Sequence, residues 1–584
     1  MPEDRSIATT RPATVVTPVV MIDGNEIART WQVDSITIRK EVNRVPWAKV
    51  VILDGNASTG SFSASNDALF VPGKEIEVKC GYQNDIYSIF KGIIVCHAVK
   101  LRGNANSMLV LECRDKTVKM TVGRKSRYFS DQKDSDIISL IAGDYVSDFS
   151  TTAEATLVTH KEMVQYDCSD WDFILSRADA NGKICICDGG EFSVKAPDPE
   201  QSSVLSLLFG ATMMEFDAEI DARHQLGKVT SRSWSYSDQR IVKAEGSDPE
   251  VSLNGNISSA ELADVIGLDD YLLDHGGKVE DKELQAWSDA LLLKRQLARV
   301  RGRVKCKGVH TVTPGSIIEL GGIGERFNGN AFVSGVQHFI SAGDWTLDIQ
   351  FGMEPEWFTR KSDIGDKPAG GLLSALHGLQ VGVVTKIDSD PDSENRIKVR
   401  LPIISDSEEG IWARIATLDA GNERGSFFLP EVGDEVIVGF INDDPRDAIV
   451  LGMLNSSALP AALTAEESNP KKGFVTRSKM KMIFDDEKKQ FSIETPAGKT
   501  IILDEDADLI KITDDHQNSL VMDSSGIVIE SQGKIEIKAQ QDLKLGGMNV
   551  EMNAQASMKV EGSASAELKA GGTMTVKGAM VQIN

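Results

Sequence analysis

IVIESQGKIEIKAQQDLKLGG, residues Ile527 to Gly547, carries the same apolar pair three times over. Ile527 and Ile529 are followed eight residues on by Ile535 and Ile537, and eight further by Leu543 and Leu545. A seven-residue step reaches Val550 and Met552; steps of eight reach Met558 and Val560, Ala566 and Leu568, then Met574 and Val576; a last step of seven reaches Val581 and Ile583. Side chains two apart on an extended chain share a face. Each unit therefore reads as a short strand followed by a turn. Lys534, Glu536, Lys544, Glu561 and Lys577 fall on the outward side, and Gly533, Gly546, Gly562, Gly571 and Gly578 fall where turns are needed.

From Ile527 to Asn584 there is no Pro, Cys, His or aromatic residue, and six Lys balance six Asp plus Glu. One copy of such a rod would leave its apolar pairs and both strand edges uncovered. Three copies wound about a common axis would bury the pairs and give every edge a neighbour. At about 4.8 Å per strand, the eight rungs would rise to a rod of roughly 40 Å. The repeat predicts an intertwined trimeric β-helix whose purpose is stiffness.

The whole chain has 584 residues and a formal net charge of -24. That charge argues against nucleic acid or an anionic membrane surface as a main partner. Its seven Cys are odd in number and lack paired metal-ligand spacing, which points to reduced thiols. Near the start stand Glu3 and Asp4, and the first apolar run, ATVVTPVVMI, is broken by Pro18. No stretch approaches the roughly 20 apolar residues of a membrane helix. The expectation is a chain without a signal peptide, made and folded in the cytoplasm.

Strand alternation in VDSITIRKEV, KEIEVKC and SMLVLECRD, with turns at Asp54-Gly55 and Pro72-Gly73, predicts a β-barrel over 1–134. DIISLIAGDYV and DWDFILSRADANG carry helical spacing, the second opening at Ser169-Asp170 and stopping at Asn181-Gly182, so 135–182 is expected to be a helical insert. A second barrel is expected over 183–360, with a helix around Leu284, Trp287 and Leu291. Residues 361–376 are rich in Gly and small residues and read as a linker. Short strands over 377–455, with frequent turn signals, suit a five-stranded OB-type barrel. A polar linker over 456–475 and longer β repeats over 476–526 then lead into the 527–584 needle. The fold class is mainly β.

RIKVRLP, WARIATLDAG and GSFFLPEVGDEVIVGFINDDPRDAIVLGML together resemble the OB domain of VgrG, the spike of type VI secretion systems, and of related phage and extracellular injection spikes. RGRVKCKGVHTVTPGSIIELGG resembles the second barrel of that family's baseplate hub, and the octads resemble its needle. The resemblance implies a homotrimer whose hub barrels meet the inner tube and baseplate. It also implies a needle capped by a separate PAAR-type protein, possession of effector cargo, brief contact with a target membrane, and delivery or release with the apparatus. The trimer core would be Ile527, Ile529, Ile535, Ile537, Leu543, Leu545, Val550, Met552, Met558, Val560, Leu568, Met574 and Val576. The cap platform would be Gly578, Ala579, Met580, Val581, Gln582, Ile583 and Asn584. Only about 30 residues separate Leu454 from Phe484, too few for the lysozyme domain that some relatives carry there.

No catalytic constellation emerges, and neither an enzyme activity, a metal nor a cofactor is expected. Ala497-Gly498-Lys499-Thr500 ends like a phosphate loop but lacks the required first Gly. Cys185-Ile186-Cys187 reads as strand packing, and Asp485-Asp486-Glu487 and Asp504-Glu505-Asp506 read as turn charges. Arg301, Arg303, Lys305 and Lys307 alternate along one strand face. That stripe is either a solubilised sheet edge or a contact with an acidic neighbouring subunit or tube, and the residues alone leave both open. Two rivals to the spike are a surface adhesin with a β-helical stalk and a glycan-cleaving spike. The octads yield a direct test: replacing Ile537 or Leu545 with Asp would set three charges on the axis. Light scattering should then show loss of the species of three times the 63.5 kDa chain mass; an intact trimer would refute the threaded rod.

Overall fold

The computed structural model describes residues 16, 18–83, 85–102, 107–360, 364–365 and 367–583. Glu3, Asp4 and Asn584, and part of the 361–376 linker, lie outside the described residues. Two compact units are present, one of Met1–His377 with Ile441–Pro445, the other of Gly378–Phe440 with Arg446–Asn584.

In the first unit the two hub segments share one thirteen-stranded sheet. The join is the antiparallel pairing of strand Val33–Glu41 with strand Gly329–Ser341, in register from Ser35 opposite Ser341 to Glu41 opposite Gly335. Alternation explains why the sheet forms: Ile36, Ile38, Ala48, Val50 and Ile52 point to a dry core at one end, while Val304, Cys306, Leu347, Ile349 and Val336 point to another. The expected turns are present, with Gly55 and Gly73 at positive φ.

The insert is less helical than its sequence suggests. Helices α1 (Asp134–Gly143) and α2 (Asp170–Ala180) frame two strands, Ser150–Ala153 and Thr159–Cys168. The Ser169 hydroxyl accepts from the Asp172 amide at the start of α2, and Asn181 closes its end, as the sequence signals require. Two more helices follow, α3 (Ser259–Ile266) and α4 (Asp281–Leu297). The first had no place in the expected second barrel, although its Ser258–Glu261 capping box is visible in the sequence. The buried Asp134 carboxylate binds the insert together. It accepts from His160 at 2.9 Å, Arg177 at 2.6 Å and Asn181 at 2.9 Å, and Arg177 reaches Glu283 of α4 at 3.0 Å. Burial opposes that charge, but the hydrogen bonds outweigh it and hold the carboxyl far below its usual range.

In the second unit, Gln380–Lys386, Ile397–Arg400, Ile411–Ile415, Ala448–Met453 and Glu435–Phe440 close into a five-stranded barrel. Val384, Ile397, Val399, Val436, Val438 and Val450 fill it. Next comes a seven-stranded antiparallel meander from Lys471 to Glu530. The end of the expected 456–475 linker is therefore its first strand, Lys471–Val475. The 476–526 stretch, expected as the base of a β-helix, is antiparallel because tight turns reverse the chain between strands, two opening on Thr476 and Thr495 and four on Asp. Asp485 accepts from the Lys488 amide, Asp504 from Ala507, Asp514 from His516 and Asp523 from Ser525.

One buried group gives the first unit a pH signature. Burial pushes the His338 imidazole, which accepts from the Trp345 indole at 3.3 Å, down to about 3. The unfolded chain would bind a proton near 6.5 while the folded one would not, so stability should fall as pH drops from about 6.5 toward 3, on the order of 1.4 kcal/mol per pH unit. Denaturant unfolding of wild type and His338→Gln at pH 7 and pH 5 should show a shallower slope in the variant; equal slopes would remove His338 as its source.

Candidate functional site

Strand register sets the geometry of the meander. Phe474, Met482, Ile493, Ile501, Ile512, Leu520 and Ile529 stand opposite one another in a single row across all seven strands. Two residues along, Lys472, Phe484, Phe491, Leu503, Ile510, Met522 and Ile527 form a second row on the same face. The Phe484 and Phe491 rings lie 4.8 Å apart within it. Most of these side chains are exposed. Alternation in the strands is the signal that could have found them: every strand after the first holds an apolar residue at i and i+2, as the octads do. The octad pairs begin at Ile527, and the same alternation is already present six strands earlier, at Phe474.

Ile527 and Ile529 end both rows, so the meander face runs directly into the octads. Beyond Glu530 the chain makes no ladder with itself among the described residues. Ile535, Ile537, Leu543, Leu545, Val550, Met552, Met558, Val560, Leu568, Met574 and Val576 are all exposed, Leu545 by 66% and Leu568 by 85%. Gly578, Ala579, Met580, Val581, Gln582 and Ile583 are exposed as well. The departure from the meander is pinned by Asn518, whose side-chain oxygen accepts from the Ser531 hydroxyl at 2.6 Å and the Gln532 amide at 3.2 Å. At the opposite end of the sheet, Phe474 stacks on Phe428 of the barrel at 5.2 Å and Arg477 pairs with Glu431 at 2.8 Å.

The basic stripe lies on Val300–Lys307, which is paired on both sides and is not a sheet edge. The acidic neighbours are in the same chain. Arg301 meets Glu219 at 2.9 Å, Arg303 meets Asp217 at 2.9 Å and Asp348 at 3.2 Å, Lys305 meets Glu215 at 3.0 Å, and Lys307 meets Asp344 at 2.6 Å. Asp217 and the other flanking carboxylates raise the affinity of Arg303 for its proton still further. The sequence could not show this pairing because Glu215 and Lys305 are 90 residues apart.

The other motifs resolve into structure. Ala497-Gly498-Lys499 is a hairpin turn in which Thr495 donates to the Lys499 carbonyl and Gly498 has φ +87°. Cys185 and Cys187 are buried in an apolar core, and burial pushes both thiols up. Asp514, Asp515 and His516 bring ligand atoms within 4.8 Å of one another in an exposed turn. Their oxygens already serve the turn amides and Lys499.

Residues 12–342, more than half of the chain, match the family described as the Alg8 N-terminal domain. The chain belongs to that family. Residues 380–454, the span of the closed barrel, match the type VI secretion system/phage-baseplate injector OB domain. A spike protein named VgrG1b from Pseudomonas aeruginosa is 24% identical over 386 residues, 60% of this chain and 50% of that protein. This chain thus spans about half the length of that relative. An actin cross-linking toxin, VgrG1, from Vibrio cholerae is 22% identical over 214 residues, 35% of this chain and 19% of the toxin. The tail protein of Neisseria meningitidis is matched with a TM-score of 0.43 at 14% identity, over 59% of this chain and 99% of that one. An Alg8 N-terminal domain match and an injector OB-domain match in one chain, beside the similarity to a VgrG spike protein, agree with the resemblance read from the sequence.

The charge ladder has a measurable consequence. Changing Arg301, Arg303, Lys305 and Lys307 together to Gln would leave Glu215, Asp217, Glu219, Asp221, Asp344 and Asp348 facing one another. Melting curves should show a lower midpoint at about 0.05 M salt that recovers toward wild type at about 0.5 M, as screening requires; a salt-independent midpoint would count against charge as the ladder's contribution.

Proposed function

We propose that this chain is the central, trimeric spike of a contractile injection apparatus. The hub would bind the inner tube and baseplate, the OB barrel would brace the join, and the needle would carry the force of contraction to a PAAR-type cap. The observation that carries this reading is the pair of apolar rows, exposed on one face of the meander and continuous with the octad pairs. Thirteen apolar side chains lie in those rows. Covering each half-exposed one is worth on the order of 1 kcal/mol. A chain of net charge -24 needs a driving force of that size to bring three copies together.

On this reading the trimer core starts at Phe474, closes through the Ile527 and Ile529 pair, and continues through Val576. Gly578 to Asn584 would present the platform for the cap. The role is mechanical rather than catalytic, and effector cargo would ride on the spike, a role suggested by the toxin relative. The family matches support the assignment of the hub and barrel, and neighbouring genes would separate a type VI apparatus from an extracellular particle or a phage tail.

Two shortened chains test the proposal beside full length. One ends at Ser525 and keeps most of the meander rows; the other ends at Thr476 and loses them. Light scattering should give a trimer for full length, a weakened trimer that dissociates on dilution for the first, and a monomer for the second. A monomeric full-length chain, or a trimer that survives loss of both rows, would overturn the apolar rows as the basis of assembly.

A further inference from the structure

In the joined hub sheet, one row across the strands reads Asp217, Arg303, Gln350, Gly335 and Glu41. Gly335 has no side chain to stand in that row. Its strand also bulges between Val333 and Gly335, which turns Ser334 out of the regular alternation. The result is an open groove of about 770 Å³ over the row, with a recess of about 90 Å³ leading from it beneath Glu41, Arg44, Gln350 and Glu354. Val42 and Met353 give the recess apolar walls. Ser334 lines it at 6% exposure, and its hydroxyl has no hydrogen-bond partner among the described residues.

The charges facing this space are unequal in one respect. The arginines are engaged: Arg39 and Arg44 on Glu41, Arg301 on Glu219, Arg303 on Asp217 and Asp348. Lys294, at the back of the recess, is held by Asp179 at 2.7 Å. Glu354 faces both groove and recess and has no ion pair among the described residues. An anion would find no free cation here, and a single unengaged carboxylate is a poor site for a divalent metal.

We infer that this cleft binds an extended segment of another protein through one Arg or Lys side chain. The aliphatic stem lies along Val42 and Met353, and the cationic head donates to the Glu354 carboxylate and the Ser334 hydroxyl. Another protein is the source rather than a second copy, because the proposed self-association, on which this choice rests, draws on the apolar rows and leaves a polar cleft unused.

The test uses the full chain and two labelled peptides, acetyl-Gly-Ser-Arg-Ser-Gly-amide and the same peptide with neutral citrulline in place of Arg, followed by fluorescence anisotropy. The arginine peptide should bind in the millimolar range or better and the citrulline peptide about tenfold more weakly. Glu354→Gln should lose about the same factor for the arginine peptide, and Ser334→Ala a smaller one. Light scattering of Glu354→Gln should match wild type, which separates this outcome from any failure of the trimer reading. Equal binding of the two peptides, undiminished binding by Glu354→Gln, or no binding of either would overturn the inference. A fall in the mass of Glu354→Gln would also overturn it, by making the cleft a contact between copies.

Discussion

An apolar pair on a strand can be covered only from the side it faces, and in the meander and octads that side is bare within one chain. Everything downstream of the OB barrel depends on this constraint. The meander satisfies its own backbone, strand by strand, but leaves both rows uncovered. The octads do not satisfy even the backbone, since their small residues and short turns give one chain nothing to pair with. Uncovered rows and unpaired edges are two deficits that the proposed trimer would meet together, with copies of the same sequence at the same height.

The hub obeys a different logic. It closes dry cores within one chain and spends its charges on itself, as the alternating carboxylates and cations of the ladder show. A face so neutralised adds little to affinity, because exposed pairs are worth little. It does fix register: a slip of one residue would set each carboxylate opposite an uncharged residue and on the other face of the sheet from its cation. The Gly335 notch is then notable as the place where a regular row is broken.

Local signals carried far in the sequence. The octad spacing, the turn residues of the OB barrel and the Ser169 and Asn181 ends of α2 all act over fewer than ten residues, and all were legible. What lay hidden was long-range. Nothing near Lys305 announces Glu215, and nothing near Val33 announces that its strand pairs with Gly329–Ser341 across the chain. Alternation cannot distinguish two separate barrels from two halves of one sheet, because both need the same inward faces. The antiparallel course of the meander is subtler: Asp485-Asp486-Glu487 and Asp504-Glu505-Asp506 are legible as turn charges, but their charge does not show that each turn reverses the strand after it.

Those turns also settle an order of events. Every meander strand pairs with its neighbour in sequence, so the sheet has low contact order and needs no contact from a second chain to pair its backbone. In the proposed trimer the octads form only once three chains meet. On that proposal, a sheet already folded on each chain would present three prepared templates at the base, and the needle would zip away from the OB barrel, one rung at a time. The costly nucleation step is thereby confined to one end of the rod, which protects the growing fibre from pairing out of step.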